Sequence, residues 1–169
     1  MTILVPSHVL QGGDWQIKIF DRFGNLTHKD DWHNMVVNAG LDYLLSIGLA
    51  GGTQIASWYI GLTDGTPTVA AGDTLGSHTG WTEVTAYSEA ARQAWTPGSV
   101  SGQSVDNSGS VATFTINAAS TTVGGAFLAS ASSGTTGTLY AAGAFSGGDK
   151  TLGNGDTLQV TATFTNAAV

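Results

Sequence analysis

The chain contains no cysteine, so disulfides and thiolate chemistry are excluded and its stability must come from packing or assembly. It is also short of charge. Asp, Glu, Lys and Arg make up 10% of its 169 residues, against about 25% in an ordinary soluble domain. The shortage is greatest from Gln93 to Val169, where the charged side chains are Asp106, Asp149, Lys150 and Asp156. Basic residues are few and scattered: Lys18, Arg22, Lys29, Arg92 and Lys150, in a chain of formal net charge −7. Direct nucleic-acid binding needs clustered cations that displace counterions, so DNA or RNA is not an expected partner. No apolar run approaches the roughly 20 residues that span a bilayer. The opening Met1-Thr-Ile-Leu-Val-Pro6 lacks the basic and long apolar regions of a secretory leader. Neither a membrane nor an export signal is expected.

What remains is rich in Thr, Ser, Ala, Gly and Val. Hydrophobic residues make up 41%, which is compatible with a packed core and not with a disordered chain. Gly is abundant at 24 but has no three-residue period, so a collagen helix is excluded. The length suits one domain.

Residues 1–13 read as an N-terminal arm, with an apolar patch at Ile3, Leu4 and Val5, then Pro6 and Gly12-Gly13. Residues 14–169 read as one β-rich domain. Trp15 to Asp21 alternates apolar and polar residues as a half-buried strand does. Arg22-Phe-Gly-Asn25 is a turn, followed by a short return near Leu26–His28 and a further strand from Trp32 to Val37. Asn38 is an expected N-cap for one helix over about 38–48, with Leu41, Leu44, Leu45 and Leu49 at helical spacing and glycines supplying the stop. Beyond Gly52 the rhythm is β: a strand at 56–62, a long loop over 64–80, then strands near 82–87, 92–96, 110–117, 122–130, 137–145 and 156–165. In the last, Leu158, Val160, Ala162 and Phe164 are predicted to face inward. The predicted class is all-β, an antiparallel sandwich or jelly-roll-like fold with one short helix.

No constellation carries catalysis. His28-Lys-Asp-Asp-Trp-His33 divides its His and Asp side chains between two strand faces, so at most two ligands converge on either. Asp64 and Asp73 lack the spacing of a calcium loop and read as turn residues. Glu83, Glu89 and His78 have no fixed acid–base geometry, and neither a GxSxG elbow nor an HExxH pair is present. No enzyme, metal or cofactor is expected. Trp58, Trp81 and Trp95, with Tyr59 and Tyr87, are either core and interface anchors or an aromatic platform for sugar. Arg92, the one cation between Lys29 and Lys150, is expected to pair two-pronged with Glu83 or Glu89, as a structural clamp or subunit contact. The candidate assembly residues are therefore Ile3, Leu4, Val5, Trp58, Trp81, Arg92 and Trp95.

The order of several short motifs carries a resemblance. Asn38-Ala-Gly-Leu41 with Leu44-Leu45 is followed by Tyr59-Ile-Gly-Leu62-Thr63. Asp73-Thr-Leu75, Trp81-Thr-Glu83, Tyr87 and Ala91-Arg92 come next. Phe114-Thr-Ile116, Gly125-Ala-Phe127-Leu128, Gly137 to Ala142 with Phe145, and Gly155 to Val160 complete it. Over about residues 34–165 this resembles small structural proteins of tailed bacteriophages, above all capsid decoration (cement) proteins. The resemblance implies a virion protein on the capsid exterior, dimeric or trimeric, bound to the major capsid protein and stabilising the assembled shell. The alternatives are a tail- or fibre-associated module recognising a host-surface glycan, and a tail adaptor subunit.

Overall fold

The computed structural model describes residues 9–168. A long hairpin, β1 (Val9–Phe20) and β2 (Leu26–Val36), leads into helix α1 (Asn38–Leu49) and strand β3 (Trp58–Thr63). Short strands follow: β4 (Glu83–Val84), β5 (Gln93–Trp95), β6 (Ser104–Asp106), β7 (Ala112–Thr115), β8 (Thr121–Val123) and β9 (Gly125–Ala129). Strands β10 (Leu139–Ala144), β11 (Lys150–Leu152) and β12 (Thr157–Ala168) complete the order. The fold is all-β and antiparallel with one helix, as the composition and turns predict.

Ten strands are hydrogen-bonded into one sheet, ordered β4-β3-β9-β10-β2-β1-β12-β6, with β5 beside β3 and β7 beside β12; β8 and β11 form a separate pair. The sheet folds over itself. Its two halves join where the end of β2 pairs with β10, at Val36 and Met35 against Ala141 and Ala142. The halves then face each other, so that Tyr140 on β10 meets Phe164 on β12 edge to face at 5.1 Å. The Trp95 indole on β5 donates across the gap to the Ala162 carbonyl at 3.2 Å. This is the sandwich.

Period-two patterning builds the hairpin half. Trp15, Ile17 and Ile19 point inward and pair in register with Ala162, Val160 and Leu158, while Asp14 and Lys18 face water. The β1–β2 turn is set by Asp21, whose carboxylate accepts the amides of Phe23 and Asn25, both at 2.9 Å. Strand β12 changes partner midway, from β7 over Thr157–Val160 to β6 over Thr163–Thr165. Asn107 fills the break. Its side chain is buried, donating Nδ2–H to the Val160 carbonyl at 3.2 Å and accepting the Ala162 amide on Oδ1 at 2.7 Å. One side chain thus replaces the missing stretch of ladder.

The other half is buried on both faces. All five residues of β9 and the first five of β10 are buried. Leu128 and Ala126 face the main core. Phe127 and Ala129 face a second cluster containing Val37, Leu75 and Trp81, supplied by the start of α1 and the long loop after β3. Gly61 makes room for Phe127, since a Cβ there would meet the ring at 2.2 Å. A strand covered on both sides reads as a continuous neutral run. Part of the charge shortage in the second half of the chain therefore follows from packing within the chain itself.

Several boundaries differ from expectation. The first strand begins at Val9, so residues 9–13 of the predicted arm belong to the sheet, with Gly12 and Gly13 opposite Thr165 and Phe164. Ile3, Leu4 and Val5 lie outside the described residues. The two predicted strands at 26–28 and 32–37 are one, because the charged stretch between them only faces solvent on a continuous strand. The helix N-cap is Val37, in extended conformation, with no side-chain cap, and Asn38 is already helical. Strands β6 and β11 were not anticipated.

Candidate functional site

A cleft of about 610 Å³ opens between α1 and the sheet edge. A run of rings, each edge to face with the next, floors it. Tyr43 on α1 meets Trp58 at 5.2 Å, Trp58 meets Tyr140 at 5.3 Å, and Tyr140 meets Phe164, which meets Trp95 at 5.7 Å. Two of these rings are tethered. Trp95 is held by its bond to Ala162, and the Tyr43 hydroxyl accepts the Ile55 amide at 3.0 Å. Burial pushes the Tyr140 hydroxyl up to about 12, with the Gln11 side chain beside it. The polar groups of the lining are neutral: Gln11, Gln54, Gln103, Ser104 and Asn166; among the described residues no Asp, Glu, Lys, Arg or His lines the cleft.

Gln103 occupies a left-handed conformation, φ 61°, directly after Gly102 at φ 56°. The two form a tight two-residue turn closed by reciprocal bonds between Ser101 and Ser104, at 2.9 and 3.0 Å. Both central residues of such a turn have positive φ, which glycine tolerates and glutamine does not. The Gln103 carbonyl also accepts the Asn166 amide at 3.0 Å.

Arg92 lies elsewhere. Its side chain is 2% exposed and grips the Glu83 carboxylate with Nε and Nη2, both at 2.7 Å. Nη1 donates to the Ala131 carbonyl and Nη2 to that of Gly134, and the guanidinium lies over the Phe127 ring at 5.0 Å. Four hydrogen bonds from one side chain fasten the β9–β10 loop to β4. Glu89 takes no part, since its carboxylate accepts the Thr115 amide. The two glutamates therefore form no acid–base pair.

The predicted residues thus divide. Trp58 and Trp95 come together at the cleft. Trp81 does not join them: it is 8% exposed, between His78 stacked at 3.6 Å and Phe127 at 4.8 Å. Trp81 and Arg92 are both enclosed by their own chain, Arg92 in the first of its two expected roles, a structural clamp. Tyr59 and Tyr87 line no part of the cleft. Tyr43, Tyr140, Gln11 and Gln103 were missed. They lie far apart in sequence, and only the unusual Gly-Gln turn could have marked one of them.

The His–Asp segment on β2 holds the surface together and gathers no ligands. Asp30 accepts from Ser146 and from the Gly147 amide, at 2.5 and 2.7 Å. His33 Nδ1 lies 2.5 Å from Asp14 Oδ1 across the hairpin. Among the described residues no group of three or more His, Asp or Glu converges as a metal site. Asp73 accepts the Ala70 amide, the turn role predicted for it, whereas Asp64 accepts the amide of Thr82, distant in the chain. No helix among the described residues is long and apolar enough to cross a membrane.

The outer face of α1 is a second feature. Leu41, Leu45 and Leu49, one turn apart, are 40%, 59% and 86% exposed. The only charge on this helix is Asp42. No protein-family model, curated protein or solved structure matches this chain.

Proposed function

We propose that the protein is a structural subunit of a tailed-bacteriophage virion. It binds the outside of the assembled capsid as a dimer or trimer and stabilises the shell by bridging major capsid protein subunits. The observation that carries the reading is the leucine face of α1. Three leucines in line, on a helix with a single charge, present apolar area that water does not favour. Fully burying an exposed leucine contributes about 1.5–3 kcal/mol, and covering these contributes the fraction of that set by their remaining exposure. The order of motifs along residues 34–165 supports the same reading.

The mechanism is linkage. A protein that binds only the assembled shell stabilises that shell, by about 2.7 kcal/mol when present at a hundred times its dissociation constant. A contact face on a helix with a single charge avoids burying unpaired charge.

The test mixes the purified protein with empty assembled capsids and, separately, with unassembled capsid subunits. It is expected to sediment with the shells alone and to raise their melting temperature. Leu45→Lys with Leu49→Lys is expected to abolish binding while changing the stability of the protein itself by no more than about 1 kcal/mol, since cations suit the end of the helix. Failure to sediment with shells, or a few copies confined to the tail of purified particles, would overturn the reading.

A further inference from the structure

We infer that the cleft beneath α1 is a binding site for a neutral saccharide. The inference stands on the cleft alone and holds whether or not the protein binds a capsid. A volume of about 610 Å³ falls within the range of roughly 300–1,000 Å³ that small-molecule sites occupy. Its lining then selects the ligand by elimination. With no ionised side chain among its described lining residues, the cleft offers nothing there to repay the desolvation of a charged ligand. A purely apolar occupant, such as a hydrocarbon or a greasy chain segment, would leave the buried Gln11 Oε1 atom unpartnered and make no use of the Gln54, Gln103 and Asn166 amides at the exposed rim. A sugar matches both halves of the lining. Its C–H faces lie against Trp58, Trp95 and Tyr43, and its hydroxyls both donate to and accept from amide side chains.

Three observations point to a site prepared in advance. The Gln11 Oε1 atom is buried beside the cleft and has no hydrogen-bond partner among the described residues. A buried acceptor left open is costly, and a ligand hydroxyl would satisfy it. Gln103 is held in a left-handed conformation where glycine would be unstrained, and this turn places it on the cleft lining. Backbone strain clusters at binding sites, and of the two such non-glycine positions among the described residues, Gln103 and Ser120, Gln103 is the one on the cleft. The bonds tethering Trp95 and Tyr43 set their rings before a ligand arrives.

The test titrates the full chain with cellotetraose, maltotetraose and chitotetraose, following tryptophan fluorescence and saturation-transfer NMR. Tetragalacturonate serves as the charged comparison, and a synthetic Met1–His8 peptide as the apolar one. At least one neutral sugar is expected to saturate at millimolar concentration or below, and tetragalacturonate is not. Gln103→Gly is expected to weaken that binding about fivefold, the loss of one hydrogen bond, while leaving the melting temperature unchanged or higher. Trp95→Ala is expected to abolish it; should that variant fail to fold, Gln54→Ala, at an exposed position, carries the test. No saturation by any neutral sugar up to about 10 mM would overturn the inference. So would binding unaltered by Gln103→Gly and Gln54→Ala, or saturation by the peptide and by no sugar.

Discussion

Arg92 and Glu83 meet through two parallel N–H···O bonds of 2.7 Å, the arginine side chain 2% exposed and the glutamate 23%. The pair is enclosed by the loop that Arg92 also holds through the Ala131 and Gly134 carbonyls. Removing one partner strands the other. Arg92→Ala is expected to cost about 3–5 kcal/mol in urea unfolding. Arg92→Lys is expected to recover only part of this, because an ammonium cannot reproduce the two-pronged contact. If Arg92→Ala combined with Glu83→Ala costs as much as the two single changes added together, the pair is not coupled.

Asn107 gives a second test. Asn107→Ala leaves the Ala162 amide and the Val160 carbonyl without their partner inside the sheet, at about 1–3 kcal/mol for each unsatisfied group. Asn107→Asp keeps the acceptor and loses the donor, so it is expected to be destabilising as well. Unfolding midpoints within error of the parent would show that the gap in the ladder is filled in another way.

Two glycines of the same helix should respond oppositely to alanine. A Cβ at Gly40 would lie 2.4 Å from the Tyr140 carbonyl oxygen, so Gly40→Ala must push α1 off β10, at about 1–3 kcal/mol. At Gly48 a Cβ meets nothing within 4 Å, and Gly48→Ala is expected to stabilise by about 0.5–1 kcal/mol. Thermal melts of the two variants check both signs.

Acid should loosen the turns. The Asn25 side chain and amide hold the Asp21 carboxyl below its ordinary value, and the Ser108 hydroxyl and amide do the same for Asp106. Asp30 is also lowered, because bonds from Ser146 and Gly147 outweigh the opposing effect of burial. A carboxyl depressed on folding contributes stability that is full above its unfolded value, near 3.8, and is lost as pH falls through the folded one. Unfolding free energy is therefore expected to fall below about pH 4. Asp21→Asn with Asp106→Asn should flatten that decline; an unaltered slope would remove these two groups from the account.

The elements legible in the sequence were those with a repeating pattern. Leu158, Val160, Ala162 and Phe164 announced the inward face of β12, and the leucines of 41–49 announced the helix. Strands β6 and β11 have three residues each, too few to show a period. Arg92 was expected to seek a glutamate because its choices were few; that Glu83 receives it, and not Glu89, depends on where β4 and β7 lie. The cleft was not legible. Tyr43, Trp58, Trp95, Tyr140 and Phe164 meet only because the sheet folds over, and no local spacing records that. The neutral second half of the chain had two causes that composition cannot separate: strands covered on both faces by the chain itself, and exposed surface with few charges.

The pairing of β1 with β12 governs how the molecule is made. Phe20 lies opposite Thr157, and the twelve rungs of this ladder join segments from far ends of the described chain. On the ribosome, β1 emerges with only β2 to pair with, and an isolated hairpin is marginal in water. At about 5–20 residues per second, β1 then waits roughly seven to thirty seconds for its second neighbour to be synthesised. During that interval its inward row of Trp15, Ile17 and Ile19 is uncovered, and the unpaired edge is open to another nascent chain. Crowded expression of this protein therefore favours aggregation between chains still being synthesised, and slower translation of the middle segment lengthens the exposure.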